Sequence, residues 1–345
     1  MTKLFYIANM RFPTERAHGI QVAKMCEAFA RIGTHVTLLV PDRKTIQADP
    51  FDYYGLERNF TIEKIAVPDI VQFGTMGFLM ESFLFALRAT RRVLREQDAI
   101  IYTREELPLL LLPVCRAFYE AHQLRRSTFF VRSIKKAKGI ISITQGLKDA
   151  LTEYGIPPQQ ILVAQDGFDA KQFAVPITKE EARKKLSLPL ARKIAMYIGG
   201  FEAWKGVETL CQAAEILKVD DIQVVVIGGT EKEIEKYKRI YPLVLFLGAR
   251  PYTELPVNQQ AADILVVPNS AKIDLGSRFT SPLKLFAHMA SGVTLVASRV
   301  PALKEVVGQV EAFLFVSDNT QALADTITNA LSPQCVSERK STATA

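Results

Sequence analysis

The sequence has few cysteines, and they do not form a metal site or a disulfide framework. Four are spread over 345 residues without CxxC spacing, so we expect buried thiols in a reducing compartment: Cys26, Cys115, Cys211 and Cys335. The four histidines are also scattered, without the spacing of metal ligands. This pattern argues against a small disulfide-stapled secreted domain and against a zinc site.

Long hydrophobic runs are also lacking. No stretch is long enough to cross a bilayer, and the N-terminus lacks the basic segment followed by an apolar one that marks a signal peptide. A content of 48% hydrophobic and 23% charged residues is ordinary for a globular protein. We therefore expect a cytoplasmic protein, and its length favours two domains, each with its own core.

Three sequence motifs that would define a function are missing. The first predicted strand is not followed by GxGxxG, which argues against a dinucleotide-dependent dehydrogenase. No GxxxxGK[ST] is present either, which argues against a P-loop NTPase. No Asp-x-Asp stands at the end of a predicted strand. We therefore expect neither a metal ion nor another cofactor.

Positive charge is concentrated in the first half of the chain. Residues 1–185 hold 27 Lys+Arg and 20 Asp+Glu, whereas residues 186–345 hold 16 of each. Such asymmetry predicts an acidic partner for the first half. The sequence has no base-reading module, so we expect an anionic membrane surface rather than nucleic acid.

One N-terminal segment, Val71–Arg95, fits that expectation. Bulky apolar residues such as Phe78 and Phe83 occupy its first part, and arginines follow from Arg88 onward. Two interpretations remain open. The segment is either a core helix with a solvated basic end or a helix that lies in a membrane interface.

Apolar strand-like runs alternate with helical patterns along nearly the whole chain. This alternation predicts an α/β fold with parallel sheets. We expect one domain over 1–185, a second over 190–335 and a polar tail over 336–345. The predicted strands are Lys3–Ala8, His35–Val40, Ala99–Thr103, Ala117–His122, Gly139–Thr144, Ile161–Ala164, Ala195–Ile198, Gln223–Ile227, Val244–Leu247, Asp263–Val267 and Thr294–Ser298.

The stretch TSPLKLFAHMASG (280–292) predicts a helix that begins with Ser281 as its N-cap and ends at Gly292. Its free N–H groups, on Leu283 and Lys284, suit a phosphate. Lys284 shares one stripe with Ala287 and His288, so we expect that stripe to face a ligand. The alternative is an ordinary helix packed on a sheet.

The same stretch, followed by VTLVASRVPALKEVV, resembles the donor-site segment of family 4 glycosyltransferases, the retaining GT-B enzymes, whose pattern is similar to SPLKLFEYMASG. Three other segments are also similar to that family: ERAHGIQVAKMCEAFARIG, YEAH and MYIGGFEAWKGVETL. The resemblance implies two Rossmann-like domains facing across a cleft. It also implies a site, with donor contacts from Gly19, Lys205, Ser281, Leu283, Lys284, Ala287 and His288 and a catalytic role for His122.

Two positions depart from the family pattern. Ala287 replaces a glutamate that usually holds the ribose hydroxyls of the donor, and Gly200 stands where an arginine is common. The resemblance implies metal-independent transfer of a sugar from a nucleotide-diphosphate sugar to a glycan, lipid-linked or small-molecule acceptor, with retained configuration. The protein would be peripheral at the inner face of the membrane. The alternative is a nucleotide-sugar-binding relative without turnover, acting as a partner subunit.

Overall fold

The chain divides into two compact units in the computed structural model, which describes residues 2–113, 116–125 and 127–332. The first unit comprises residues 1–143 and 147–164, and the second comprises 144–146 and 165–345. The predicted polar tail, Cys115 and Cys335 lie outside the described residues.

The first unit is a parallel sheet flanked by helices, as the alternation of apolar runs predicts. Its strands are ordered β3-β2-β1-β4-β5-β6-β7, and each pairs in parallel with its neighbours. The elements are β1 Lys3–Ile7, α1 Ala17–Arg31, β2 His35–Pro41, α2 Pro50–Tyr54, β3 Thr61–Ile65, α3 Gly74–Val93, β4 Ile100–Thr103, α4 Glu106–Leu111, β5 Ala117–Ala121, α5 Thr128–Ile134, β6 Gly139–Ser142, α6 Gln145–Glu153 and β7 Ile161–Val163.

The second unit repeats this architecture with a six-stranded parallel sheet, ordered β10-β9-β8-β11-β12-β13. The fold class of two Rossmann-like parallel-sheet domains is confirmed. The elements are α7 Ala170–Phe173, α8 Lys179–Lys185, β8 Lys193–Ile198, α9 Val207–Leu217, β9 Ile222–Ile227, α10 Glu231–Ile240, β10 Leu245–Phe246, α11 Leu255–Gln260, β11 Ile264–Val267, α12 Leu283–Ala290, β12 Thr294–Ser298, α13 Pro301–Lys304, β13 Phe313–Phe315 and α14 Thr320–Ala330.

The second unit begins about twenty residues earlier than the sequence suggests. The last residues of the expected first domain form α8, and its Ala182 and the following Leu186 are buried in the core of the second unit. Arg183 is also buried, and its Nη2 lies 2.5 Å from Oδ2 of Asp263. These contacts attach the segment to the second unit, so the expected boundary between 185 and 190 is too late.

Helix α3 is not the ordinary core helix that one interpretation of its sequence expects. The side chains of Met76, Leu79, Met80 and Phe83 are 50% to 76% exposed. The buried face carries Phe85 and Val93 together with small or polar residues, among them Gly77, Glu81 and Ser82. No helix among the described residues has both the length and the apolar character needed to cross a bilayer.

Candidate functional site

In the second domain, the glycine loop after β8 holds a lysine against an acidic partner. Lys205 ends a short 3-10 turn that follows Gly199 and Gly200, and its Nζ lies 2.7 Å from Oε2 of Glu202. A Cβ added to Gly200 would lie 2.3 Å from Oε2 of Glu202 and 3.0 Å from Nζ of Lys205. This ion pair therefore occupies the space beside the position where the family often has an arginine.

Lys284, in the first turn of α12, reaches the same loop. Its Nζ donates a hydrogen bond of 2.8 Å to Oη of Tyr197 and lies 4.1 Å from the centre of that ring. Oη of Tyr197 in turn donates to the carbonyl of Gly200 at 2.7 Å. A Cβ at Gly199 would lie 2.7 Å from Nζ of Lys284. The structure thus brings together the two lysines that the sequence singles out.

This cluster has more positive charge than its single carboxylate balances. Burial lowers the pKa of Lys284 well below its usual value, the charge of Lys205 lowers it further, and Glu202 partly opposes both effects. Burial alone would raise the pKa of Glu202, but the hydrogen bond and charge of Lys205 bring it below its usual value. Two lysine amines next to one carboxylate favour an anionic ligand, which in turn stabilises the protonated form of Lys284.

The start of α12 differs from the expected one. The helix begins at Leu283, and Pro282 occupies the N-cap position with no side-chain cap hydrogen bond. Ser281 is not the N-cap, because its Oγ accepts a hydrogen bond of 3.0 Å from the backbone N–H of Asp166. As expected, Leu283 and Lys284 lie in the first turn of α12, so their backbone N–H groups have no carbonyl acceptor within the helix.

The rest of the predicted stripe on α12 is buried. His288 is fully buried, and its Nδ1 lies 2.8 Å from Nε2 of Gln259 in α11. Its Nε2 has no hydrogen-bond partner among the residues that the structure describes. Burial, and then the charge of Lys284, lowers the pKa of His288 to about 3. Ala287 is 6% exposed. The expectation that His288 faces a ligand is wrong, because its ring is buried and lies within hydrogen-bond distance of Gln259.

In the first domain, His122 follows β5, at the carboxyl edge of the sheet where α/β folds collect ligands. Its Nε2 lies 2.9 Å from Oε1 of Glu120, which is almost fully buried in β5. Glu120 also accepts hydrogen bonds from Oη of Tyr6 at 2.8 Å and from Nε2 of Gln21 at 2.7 Å. Nη1 of Arg104 donates to Oε1 of Gln21 at 2.9 Å. These contacts fix the carboxylate that orients His122.

The charge of Glu120 is stabilised where it is buried. Burial would raise its pKa, but the hydrogen bond and charge of His122, the charge of Arg104 and the hydrogen bond from Tyr6 together lower it to about 2. An ionised carboxylate only accepts hydrogen bonds, so His122 must donate from Nε2. The nitrogen left for other contacts is Nδ1.

A second titratable group lies at the same edge. Glu105 follows β4, and its Oε1 accepts a hydrogen bond of 3.1 Å from the backbone N–H of Asn9, which follows β1. Burial, reinforced by the nearby charge of Glu106, raises the pKa of Glu105 to about 7 against the lowering effect of that hydrogen bond.

Gly19 has a packing explanation in the described structure. It lies in the first turn of α1 and is buried. A Cβ there would lie 2.5 Å from both Cγ2 of Thr14 and Oη of Tyr54. Oη of Tyr54 also donates to the carbonyl of Thr14 and accepts from its N–H, at 2.7 Å each. The glycine is therefore needed for this close contact whether or not a ligand approaches it.

Several residues of these two clusters are not identified by sequence reasoning, namely Tyr197, Glu202, Glu120, Gln21 and Arg104. Only Glu120 and Glu202 had a usable signal, since each lies within three residues of a lysine or histidine that the sequence singles out. Among the described residues, no three His, Cys, Asp or Glu side chains are grouped in a way that would hold a metal ion.

Residues 192–333 match the family model described as "Glycosyl transferases group 1". The chain is 28% identical over 204 residues to the D-inositol 3-phosphate glycosyltransferase of Corynebacterium aurimucosum, covering 54% of this chain and 47% of that protein. It is 26% identical over 207 residues to the putative teichuronic acid biosynthesis glycosyltransferase TuaC of Bacillus subtilis, covering 57% and 49%. The chain spans about half the length of the curated relatives it matches.

Solved structures match nearly the whole chain at low identity. Sucrose-phosphate synthase from Thermosynechococcus elongatus superposes with a TM-score of 0.72 at 20% identity, covering 96% of this chain and 90% of that one. HepE of Anabaena in complex with UDP-glucose gives 0.71 at 16%, covering 97% and 91%. The catalytic domain of starch synthase IV from Arabidopsis thaliana, bound to ADP and acarbose, gives 0.75 at 14%, covering 95% and 91%.

At such identities these matches establish the fold alone, and that fold is GT-B. The family match covers the domain that holds Lys205, Lys284 and the start of α12. Residues 192–333, which contain this cluster, are therefore similar to group 1 glycosyltransferases.

Proposed function

We propose that the protein transfers a glycosyl group from a nucleotide-diphosphate sugar to an acceptor hydroxyl. The observation that carries this proposal is the convergence of Lys205 and Lys284 on the glycine loop beside the start of α12, within the segment that matches the family. HepE was solved with UDP-glucose and starch synthase IV with ADP, which favours the same class of donor here.

The lysines act on the leaving group. As the bond between the sugar C1 and the diphosphate oxygen breaks, negative charge develops on that oxygen. Lys205, Lys284 and the free N–H groups at the start of α12 stabilise this charge. The proposal of metal-independent transfer rests on these two ammonium groups.

The acceptor oxygen forms the new bond to C1 on the face from which the diphosphate departs, so the anomeric configuration is retained. Its proton passes to the leaving diphosphate. This route requires no covalent nucleophile and no pair of flanking carboxylates. His122 contacts the sugar through Nδ1, and Gly19 approaches the donor with its backbone.

We propose that this reaction takes place in the cytoplasm, at the inner face of a membrane with anionic lipids. The acceptor is then a glycan, a lipid-linked molecule or a small molecule. The relatives that match the chain are named as glycosyltransferases rather than as partner subunits, so the interpretation as a non-catalytic subunit is not favoured.

Titration calorimetry with UDP and with GDP, both in the presence of EDTA, tests the donor site. The parent is expected to bind at least one of them, and Lys205→Ala is expected to weaken that binding about tenfold or more, since a charged hydrogen bond contributes about 1.5–3 kcal/mol. Equal affinity for the variant and the parent would remove Lys205 from the site. Binding only after addition of a divalent cation would contradict metal independence.

A further inference from the structure

The outer face of α3 carries a continuous apolar stripe. Met76, Leu79, Met80 and Phe83 are spaced i, i+3, i+4 and i+7, so their side chains lie on one side of the helix. Leu87 continues the stripe at i+11 and is half-buried. At 1.5 Å per residue, the stripe is about 17 Å long. A stripe of this width and length normally faces a protein core.

The inner face of α3 buries Phe85 and Val93 and is also held by polar contacts. The side chains of Arg43 and Glu81 form a buried ion pair between Nε and Oε1. Asn9 donates from Nδ2 to Oγ of Ser82 at 2.9 Å, and its Oδ1 accepts from Nη2 of Arg43 at 2.7 Å. Asn9 and Arg43 follow β1 and β2, so these contacts tie the helix to the carboxyl edge of the sheet.

Close packing adds a second constraint on the inner face. A Cβ at Gly77 would lie 2.0 Å from the carbonyl oxygen of Ile70, so the backbone of the helix approaches the preceding loop closely. Rolling α3 to bury its apolar stripe would break this contact and leave Arg43 or Glu81 buried without a partner, which is strongly unfavourable. The exposure of the stripe is therefore fixed by the fold.

Positive charge continues from the stripe. Arg91 lies four residues after Leu87 and Arg95 four residues after Arg91; both are exposed, and neither forms a salt bridge with the described part of the chain. The first unit as a whole holds 22 Lys+Arg and 16 Asp+Glu, an excess of six, whereas the second holds 21 and 20. This charge repels a second copy of the same domain and attracts an anionic surface.

We infer that the outer face of α3 is a docking surface for an anionic lipid bilayer. The apolar stripe enters the boundary between headgroups and acyl chains, and Arg91 and Arg95 contact the lipid phosphates. This inference names the surface by which the proposed membrane partner is bound. It does not depend on the chemistry of the second domain, so lipid binding and donor binding can fail separately.

The test is flotation of the full chain with vesicles of neutral phosphatidylcholine and with vesicles that also contain anionic phosphatidylglycerol, at low and high salt. We expect the parent to float with anionic vesicles at low salt and to detach at high salt. The double variant Leu79→Ser/Phe83→Ser should reduce binding at least about tenfold for each residue replaced. Arg91→Gln/Arg95→Gln should reduce binding to anionic vesicles about fivefold per residue.

The matched control is Val219→Ser/Ile240→Ser, which removes two exposed apolar side chains from the second domain and should float like the parent. Should Leu79→Ser/Phe83→Ser fail to fold, Met76→Ser/Met80→Ser removes the more exposed half of the stripe. Parent-like flotation of a folded stripe variant, or a parent that binds neither vesicle, would overturn the inference. A parent dimer that the stripe variant converts to monomers, without lipid binding, would assign the face to a second copy instead.

Discussion

Replacing Lys284 by methionine separates a ligand-binding role from a structural one. The ammonium group of Lys284 is within hydrogen-bond distance of Oη of Tyr197, and burial together with Lys205 disfavours its charge. Methionine keeps most of the volume and removes the charge. Tyr197 retains its hydrogen bond to the carbonyl of Gly200. Exchanging a buried charge for an apolar group of similar size is often neutral or stabilising, so we expect no loss of thermal stability in Lys284→Met.

Nucleotide binding should respond in the opposite direction. A charged hydrogen bond to a diphosphate contributes about 1.5–3 kcal/mol, so its loss lowers affinity about 10- to 150-fold. Relief of the repulsion between the two lysines slightly strengthens the contact that Lys205 makes, so we expect a value near the lower end of this range. Titration calorimetry with UDP or GDP measures the affinity, and a melting curve measures the stability.

Lys193→Met is the matched control, because Lys193 opens β8 in the same domain and its side chain is 59% exposed. It should change nucleotide affinity by less than about twofold, as surface substitutions usually do. Parent-like affinity of Lys284→Met would refute the reasoning. A joint loss of affinity and thermal stability would instead assign Lys284 a structural role.

Three further predictions concern other residues of the two clusters and of α12. The pKa of Lys284 is lowered in the free protein, and a bound anion favours its protonated form. UDP binding should therefore take up protons and should weaken as the pH rises through that lowered pKa. Calorimetry in buffers of different ionisation enthalpy measures the proton uptake. The pKa of Glu120 is about 2 in the folded protein and about 4.3 in an unfolded chain. Its contribution to the free energy of unfolding is therefore present above about pH 5 and is lost as the pH falls toward 2. Unfolding curves of Glu120→Gln should lack that part of the acid sensitivity. Ala287→Glu should raise UDP affinity about tenfold, because the carboxylate gives the ribose hydroxyls an acceptor. His288→Ala should lower the free energy of unfolding by about 1–3 kcal/mol, because it leaves Gln259 unpaired, and should have little effect on UDP binding. The reverse pattern would refute our placement of both residues.

Sequence reasoning predicted the alternating elements because their signals are local. Strands β1 and β2 are nearly continuous apolar runs, and Gly292, with φ 69°, follows the last residues of α12. Strand β3 was missed because TIEKI mixes apolar with polar residues, and β13 was missed because its apolar run is only three residues long. Runs this short or this mixed do not stand out as strands.

The contacts that build the two clusters are not local, so sequence reasoning could not supply them. Lys284 and Tyr197 are 87 residues apart, and Glu120 and Tyr6 are 114 apart. Helical periodicity placed Lys284 and His288 on one stripe. Positions i and i+4 nevertheless differ by a rotation of about 40°, so Lys284 contacts the glycine loop whereas His288 is buried against α11. Periodicity alone does not reveal which polar neighbour packs inward.

Release of nucleoside diphosphate from a panel of UDP-, GDP- and ADP-sugars is the measurement that tests the central claim most directly. With purified protein and EDTA present, we expect release from at least one donor, and strong loss of that release in both Lys205→Ala and Lys284→Met. Absence of both release and binding across the panel would contradict a nucleotide-sugar transferase. Release that is unchanged in both lysine variants would show that the leaving diphosphate lies elsewhere.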